Sequence, residues 1–331
     1  MEASLLALAQ PDIGISEWRN IHQAFQSGYL THRGEWEAKF EMLFHKRFGR
    51  KALATSSGTA ALHIALLSCG IGHGDEVILP VLTFGGAAAV VRQVGAKPVF
   101  VDVKDDYCMN WELALKAHTR KTKAIIPTHL YGERCEFWAT GVKVIEDSCE
   151  ALGYVDPSTA DFTAYSFYGN KVITTGEGGM LLGNADRRYR DGGFTQDYDM
   201  EVAGLNYRMT NMQAAIGCAQ FSRLSELLSK RNKVVETYKK YINGIGKWLF
   251  VIQVEDPKDL SKYLSKHGIE ARPVFKPLHL TQAFKCEGSY PVSERLWKHG
   301  LCLPVGTHIK ESDAIMIAKL VRDYGLVEYK S

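Results

Sequence analysis

The sequence has no apolar run long enough to cross a bilayer, no paired cysteines and no block of basic residues, and each absence removes a class of function. A membrane helix needs about 20 mostly apolar residues, and the short apolar stretch in MEASLLALAQPD falls well below that. The same stretch carries Glu2 where a secretory leader would be basic, so the chain is expected to be neither exported nor embedded. Seven cysteines lie scattered without a C-x-x-C pair, and eleven histidines form no H-E-x-x-H. Neither a disulfide framework nor a metal site is therefore expected, and a reducing cytoplasm is the expected compartment. A net charge of +3 is too small for a protein whose partner is a phosphate backbone, so nucleic acid is not an expected partner. No long charged or Gly/Ser-rich tract points to a disordered tail, and nothing asks for a repeat architecture.

What is present is the composition of a globular protein, 46% hydrophobic and 23% charged over 331 residues, long enough to bury a large core. Short β-rich runs alternate with helical ones. KALATSS ends at Ser57 and GTAALHIALLSCGI follows with helical apolar spacing; EVILP reads as a strand, GGAAAVVRQVG as a helix and KPVFVDV as a strand. Further strands are expected in KAIIPTHL, VKVIED, FTAYSF and GGMLLG. Strand, helix and strand in repetition imply an α/β fold, with a mostly parallel sheet sandwiched by helices. From NYRMTN to YKKYI a long helical pattern leads away from that core, and WLFVIQVE, DLSKYLSKHGI, ARPVF and SDAIMIAKLVRDYG then read as a small α+β domain. The expected division is a large domain over 1–220 and a small C-terminal domain over 221–331.

In open α/β sheets ligands sit beyond the carboxyl ends of the strands, and that rule ranks the loops. SSGTAALH leaves a strand and opens a helix: Gly58 permits close backbone approach, Ser57 and Thr59 carry hydroxyls, and the helix start favours a phosphate. The same residues also serve as ordinary caps. Asp147, at the end of VIED, is either a cap for the next helix or a ligand for something cationic. Phe84, just past EVILP, is either a core aromatic or a face for a flat ring. In AYSFYGNKVITTGEGGMLL the apolar run carries one lysine, Lys171, and then breaks into Gly176, Gly178 and Gly179. Alone, that lysine reads as a solvated surface residue. Together with an acid, an aromatic face and a phosphate cradle, it supplies the parts that pyridoxal phosphate requires. GIGHGD follows a helix and precedes a strand, the reverse of a dinucleotide fingerprint, and is set aside.

SSGTAALH, GDEVILP followed by TF, VIED, SF-x-x-x-K, GEGG and NYRMTN-x-QAAIG occur in one order over nearly the whole chain. This series resembles the DegT/DnrJ/EryC1/StrS sugar aminotransferases, within the type I aminotransferase fold. SFYGNK, TTGEGGM and Glu150 of EDSCEALG are most similar to the family's GDP-perosamine synthase group. The resemblance implies that Lys171 forms the Schiff base with the cofactor and later moves the proton at the sugar carbon. It implies that Asp147 holds the pyridine nitrogen, Glu150 lies near the ring hydroxyl and Phe84 against the ring. Ser57, Gly58, Thr59 and Ser166 would take the phosphate. Asn206 would reach the phosphate of a neighbouring subunit's cofactor, in a homodimer with shared active sites. The implied reaction aminates a nucleotide-linked 4-keto-6-deoxyhexose, with L-glutamate as donor, for polysaccharide synthesis of the O-antigen kind. Arg272, Lys276 and His279 in GIEARPVFKPLH are candidates for the sugar or its diphosphate, as are His129 and Arg208; surface cations and satisfied histidines are the alternative.

The sequence departs from the family pattern in three places. GERCEFWATG is short for a crossover helix, and the stretches between Glu150 and Ser166 and between GEGG and NYRM are also abbreviated. RDGGFTQDY lacks the histidine usual there. These trims touch the substrate-side loops and leave the cofactor residues in place. A dTDP- or UDP-linked 4-keto sugar is the alternative substrate. Dehydration is a further one, but the related dehydrating group has histidine where Lys171 stands. A non-catalytic nucleotide-sugar binder or regulator is the alternative of another class.

Overall fold

The structure, a computed structural model, describes residues 5–32, 34–138, 141–157, 159–194 and 197–325. Its centre is a seven-stranded sheet in the order β1-β7-β6-β5-β4-β2-β3, formed by β1 (Ala52–Thr55), β2 (Glu76–Pro80), β3 (Lys97–Val101), β4 (Thr122–Ile125), β5 (Lys143–Asp147), β6 (Phe162–Ser166) and β7 (Gly179–Leu182). The pairs β2 with β3, β2 with β4, β4 with β5 and β5 with β6 are parallel; β7 runs antiparallel to both β6 and β1. All the strands read from the sequence are present. The adjacent glycines Gly178 and Gly179 let the chain turn directly from the Lys171 loop into β7, which explains the one reversed strand.

Each face of the sheet has its own core. On one face, α3 (Gly58–Ser68) and α4 (Gly86–Gln93) bury Ala61, Ile64, Val90 and Val91 against Val77, Leu79, Ile145 and Ala164. On the other, Tyr165 and Phe167 meet Phe40 and Phe44 of α2 (Glu35–Phe48) and Ala214 and Cys218 of α6 (Asn211–Ser222). Ala164 and Tyr165 thus face opposite layers, as the two-residue period of a strand demands. Four helices were not anticipated from the sequence, α1 (Ile15–Gln26), α2, α5 (Trp111–Lys116) and α9 (Pro291–His299). Instead of carrying a side-chain cap at Gly14, α1 is started by Glu17, whose carboxylate accepts from Gly14 N at 2.8 Å.

The connections that read as short are short in the structure. Among the described residues no α-helix joins β4 to β5 or β5 to β6; only a short helical turn at Leu130–Gly132 intervenes. The long helical pattern after NYRM is two helices, α6 and α7 (Leu224–Tyr241), because the chain leaves helical geometry at Arg223. Arg223 is held there by Asp12 and Glu17, at 2.7 and 3.1 Å. Residues 206–210 precede the helix, and Thr210 caps α6 by accepting from Gln213 N. Beyond α7, a three-stranded antiparallel sheet, β8-β10-β9, is formed by β8 (Phe250–Gln253), β9 (Arg272–Pro273) and β10 (Gly300–Leu303). It packs on α7, α8 (Pro257–Lys266) and α10 (Glu311–Asp323) through Tyr238, Phe250, Leu260, Leu264, Leu303 and Ile317. We propose the division of the chain at 220/221, near the end of α6, because this sheet and its helices share a separate apolar cluster.

Candidate active site

A cleft of about 430 Å³ opens at the carboxyl ends of β1, β2, β5 and β6. Its lining includes Ser57, Gly58, Thr59, Phe84, Asp147, Glu150, Ser166 and Lys171, eight of the nine residues that the resemblance assigned to cofactor binding and catalysis. They meet because each stands at, or just beyond, the end of a strand on the same edge of the sheet.

The phosphate side is the start of α3. Ser57 is extended and accepts from Ala60 N at 3.0 Å, so it is the helix cap, with its hydroxyl hydrogen left to donate. The N–H groups of Gly58 and Thr59 begin the helix, where the dipole favours an anion. A Cβ added at Gly58 would lie 2.5 Å from Cys149 Sγ and 3.0 Å from Ser166 Cβ, so the cradle requires glycine. One at Gly179 would lie 2.4 Å from the Ser57 carbonyl, which brings β7 against the same turn.

Asp147 ends β5, nearly buried, and accepts from Cys149 N at 3.1 Å. Thr83 and Thr128 also line the cleft, and their hydroxyls are buried without a partner among the described residues. Buried polar atoms of this kind call for a bound polar group. Phe84 is 58% exposed on the opposite side, tilted 59° to Phe275 with 6.1 Å between ring centres. Lys171 Nζ lies 3.4 Å from Glu150 Oε1. Glu150 is buried, and its Oε2 accepts from Tyr131 N at 2.9 Å. Burial raises the Glu150 pKa, while the Lys171 charge and the Tyr131 N–H oppose that rise. Burial also pushes up the neighbouring Cys149 thiol, which keeps it protonated and inert.

The substrate-side expectations fare unevenly. Arg272 lines the cleft, exposed, with its guanidinium over Phe275 at 5.6 Å. His129 does not: it is buried beneath β5, where its Nδ1 accepts from Cys135 N at 3.0 Å and its Nε2 faces Glu146 at 3.3 Å. Both ring nitrogens are occupied, so the substrate role expected for His129 gives way to a structural one. His279 is likewise buried outside the cleft lining, facing Glu294 at 3.2 Å and packed on Tyr290. Lys276 is exposed and stands over Trp297, away from the cleft. Arg208 bonds to the Asp191 carbonyl at 3.3 Å, and Asn206 is exposed on a bridge to Asp191; neither joins the cleft of its own chain.

Trp248 is the residue that sequence reasoning missed. Its ring lies 3.9 Å from Lys171 Nζ, and its indole N–H donates to the Asn170 carbonyl at 2.9 Å. WLF read only as the start of a strand, and no local signal in it points back to a lysine so far away in the chain. Tyr168, Asn170 and Glu177, all in the lysine segment, also line the cleft.

A strand-end lysine, a buried acid and a phosphate cradle around one cleft, on a mostly parallel sheet, define a pyridoxal-phosphate aminotransferase of type I fold. The model of the DegT/DnrJ/EryC1/StrS aminotransferase family matches residues 11–322, and the chain belongs to this family of sugar aminotransferases, whose cofactor is pyridoxal phosphate. It is 35% identical to a GDP-perosamine synthase of Caulobacter vibrioides, over 93% of this chain and 95% of that one. It is 32% identical to a GDP-perosamine synthase of Escherichia coli, over 95% and 97%. The pyridoxal-phosphate form of a Streptococcus pneumoniae sugar aminotransferase superposes with a TM-score of 0.88 at 27% identity, covering 95% of this chain and 97% of that one. Among the described residues there is no cluster of potential metal ligands, and no helix is long and apolar enough to cross a membrane.

Proposed function

We propose that the chain transfers an amino group from L-glutamate to C4 of a nucleotide-linked 4-keto-6-deoxyhexose, in the manner of a GDP-perosamine synthase. The observation that carries this reading is the approach of Lys171 to Glu150 within 3.4 Å beside Asp147, because an acid at 150 is the feature shared with that group.

The cleft fits the cofactor. Gly58, Thr59, Ser57 and Ser166 would hold its phosphate, Asp147 its ring nitrogen, Phe84 its face and Lys171 its aldehyde. When bound, pyridoxal phosphate supplies an electron sink that makes a neighbouring C–H bond acidic. Asp147, buried at the end of β5, would keep that sink effective by pairing with a protonated ring nitrogen. Lys171 Nζ takes the proton from the donor carbon in the first half-reaction and returns one to sugar C4 in the second. It is suited to both because it is held at the cleft floor with its side chain only 13% exposed, out of bulk water. Glu150 orients it, and Phe84, Phe275 and Trp248 wall the floor with apolar surface. Arg272, without an ion-pair partner among the described residues, is placed to meet the diphosphate of the incoming sugar.

Asn206 and Arg208 lie outside their own cleft, and we place them at the cofactor phosphate and substrate of a second subunit, in a homodimer with shared sites. The product would serve polysaccharide synthesis, and the reaction would take place in the cytoplasm. The test is a panel of GDP-, dTDP- and UDP-linked 4-keto-6-deoxyhexoses and their 3-keto isomers with glutamate, following 2-oxoglutarate. Turnover of the GDP sugar is expected, and borohydride should fix the cofactor to Lys171. Turnover only of a sugar with its ketone at C3 would overturn the regiochemistry; no bound cofactor in a folded, supplemented sample would remove the reading altogether.

A further inference from the structure

An aminotransferase lysine is released from the cofactor whenever the cofactor carries the amino group, and its side chain then stands free in the cleft. We propose that Trp248 and Glu150, both fixed by the single residue Tyr131, form a cradle that holds the released Lys171, with Trp248 as a positioning residue. This rests on the reading of Lys171 as the cofactor lysine.

The two walls meet the same nitrogen. Glu150 Oε1 is 3.4 Å from Lys171 Nζ and the Trp248 ring centre is 3.9 Å from it. A cation over an indole face is attracted by the ring quadrupole, most strongly where water is excluded, and Trp248 is 1% exposed. Tyr131 connects the walls. It is fully buried with φ of +56°, a left-handed conformation that tyrosine seldom adopts. In that conformation its N–H donates to Glu150 Oε2 at 2.9 Å. Its carbonyl accepts from both Lys247 N at 2.8 Å and Trp248 N at 3.0 Å. Gly132 follows with φ of +82°, where a Cβ would come within 3.1 Å of Trp248 N. Arg231, itself buried, closes the arrangement by donating to the Trp248 carbonyl at 2.9 Å. The loop before β8 therefore reaches across to the lysine loop through one strained turn, and the strain sits where both walls are anchored.

The experiment is trace acetylation of the full-length, cofactor-free chain with acetic anhydride at one fixed pH. Mass spectrometry reads the Lys171 peptide relative to exposed Lys258. Trp248→Leu should raise Lys171 labelling about fivefold to tenfold, whereas Trp248→Phe, which keeps an aromatic face, should raise it no more than about twofold. Both variants lose the bond to Asn170, so a purely structural role for Trp248 would move them equally, and equal labelling would overturn the proposal. Glu150→Gln keeps an acceptor for Tyr131 N but removes the charge, and should raise labelling about threefold; it decides the matter if the leucine variant fails to fold by circular dichroism, an unchanged ratio sinking the cradle. Borohydride fixation of the cofactor in the wild type separates the two failures. Fixation to a different residue defeats the functional reading, while fixation to Lys171 without the leucine–phenylalanine contrast defeats only the cradle.

Discussion

The two walls of the cleft are built on different principles. On the sheet side, Gly58, Asp147, Ser166 and Lys171 stand at or just after strand ends, and their positions are set by backbone: the Gly179 contact on Ser57, the Gly58 contact on Cys149 and the parallel register of Asp147 with Ala164. On the C-terminal side, Arg272 and Phe275 project from a two-residue strand and the loop after it, and among the described residues the Arg272 guanidinium has no ion-pair partner, only an aromatic face at 5.6 Å. The proposed chemistry is tied to the sheet, while the proposed substrate side is made of side chains that can change without moving a strand. A family can in this way keep one reaction and vary its sugars.

The largest expected effect tests the sheet side at its centre. Lys171→Ala should lower turnover by about 10⁴-fold or more, because it removes both the attachment point and the proton carrier. Release of 2-oxoglutarate measures it, and a rate within tenfold of wild type would mean that another lysine does the work. The next effect tests whether backbone contact fixes that wall. Gly179→Ala should cost about 2 kcal/mol in urea unfolding and also weaken cofactor binding, since its Cβ would meet Ser57 and Gly58 backbone atoms at 2.4 to 2.7 Å. An unchanged midpoint with unchanged cofactor affinity would show that β7 and the phosphate turn are not locked together.

The same contrast decides what could be read from the sequence. The strands and the residues that line the cleft were legible because each lies within a few positions of a short apolar strand that ends at the cleft, so local order in the chain is order in space. His129 was not legible: its neighbour motif is right, but Cys135 N and Glu146 claim its ring nitrogens beneath the sheet, and neither contact has a signature in the sequence. Trp248 was missed for the opposite reason. Its partner is a lysine 77 positions earlier in the numbering, and the turn that delivers it depends on a left-handed tyrosine that no residue preference announces. The break at Arg223 was hidden because the helical pattern continues through it, while the ion pairs that bend the chain come from Asp12 and Glu17.

On the C-terminal side the effects should be smaller and confined to binding. Arg272→Ala should raise KM for the nucleotide sugar about tenfold with kcat nearly unchanged, the loss of one charge-assisted contact at an exposed site. Lys276→Ala, which lies outside the cleft, should leave KM within about twofold. Steady-state kinetics on the preferred sugar checks both, and equal effects from the two substitutions would erase the distinction drawn between a cleft cation and a surface one.

The smallest effect probes Glu150, the buried acid beside the lysine. Burial raises the Glu150 pKa above its ordinary value of 4.5, with Lys171 pulling the other way. A carboxyl that is harder to ionise when folded than when unfolded adds stability below its unfolded value and loses that contribution as pH rises through its folded value. Glutamine has no such titration. In the cofactor-free chain, denaturant melts should therefore favour Glu150→Gln over wild type progressively from about pH 4.5 upward, levelling off once Glu150 is fully ionised in the folded state. If wild type instead gained on the variant over that range, the attraction of Lys171 would outweigh the cost of burial, and the acid would be a stabilising partner of the lysine in the empty site as well as its guide.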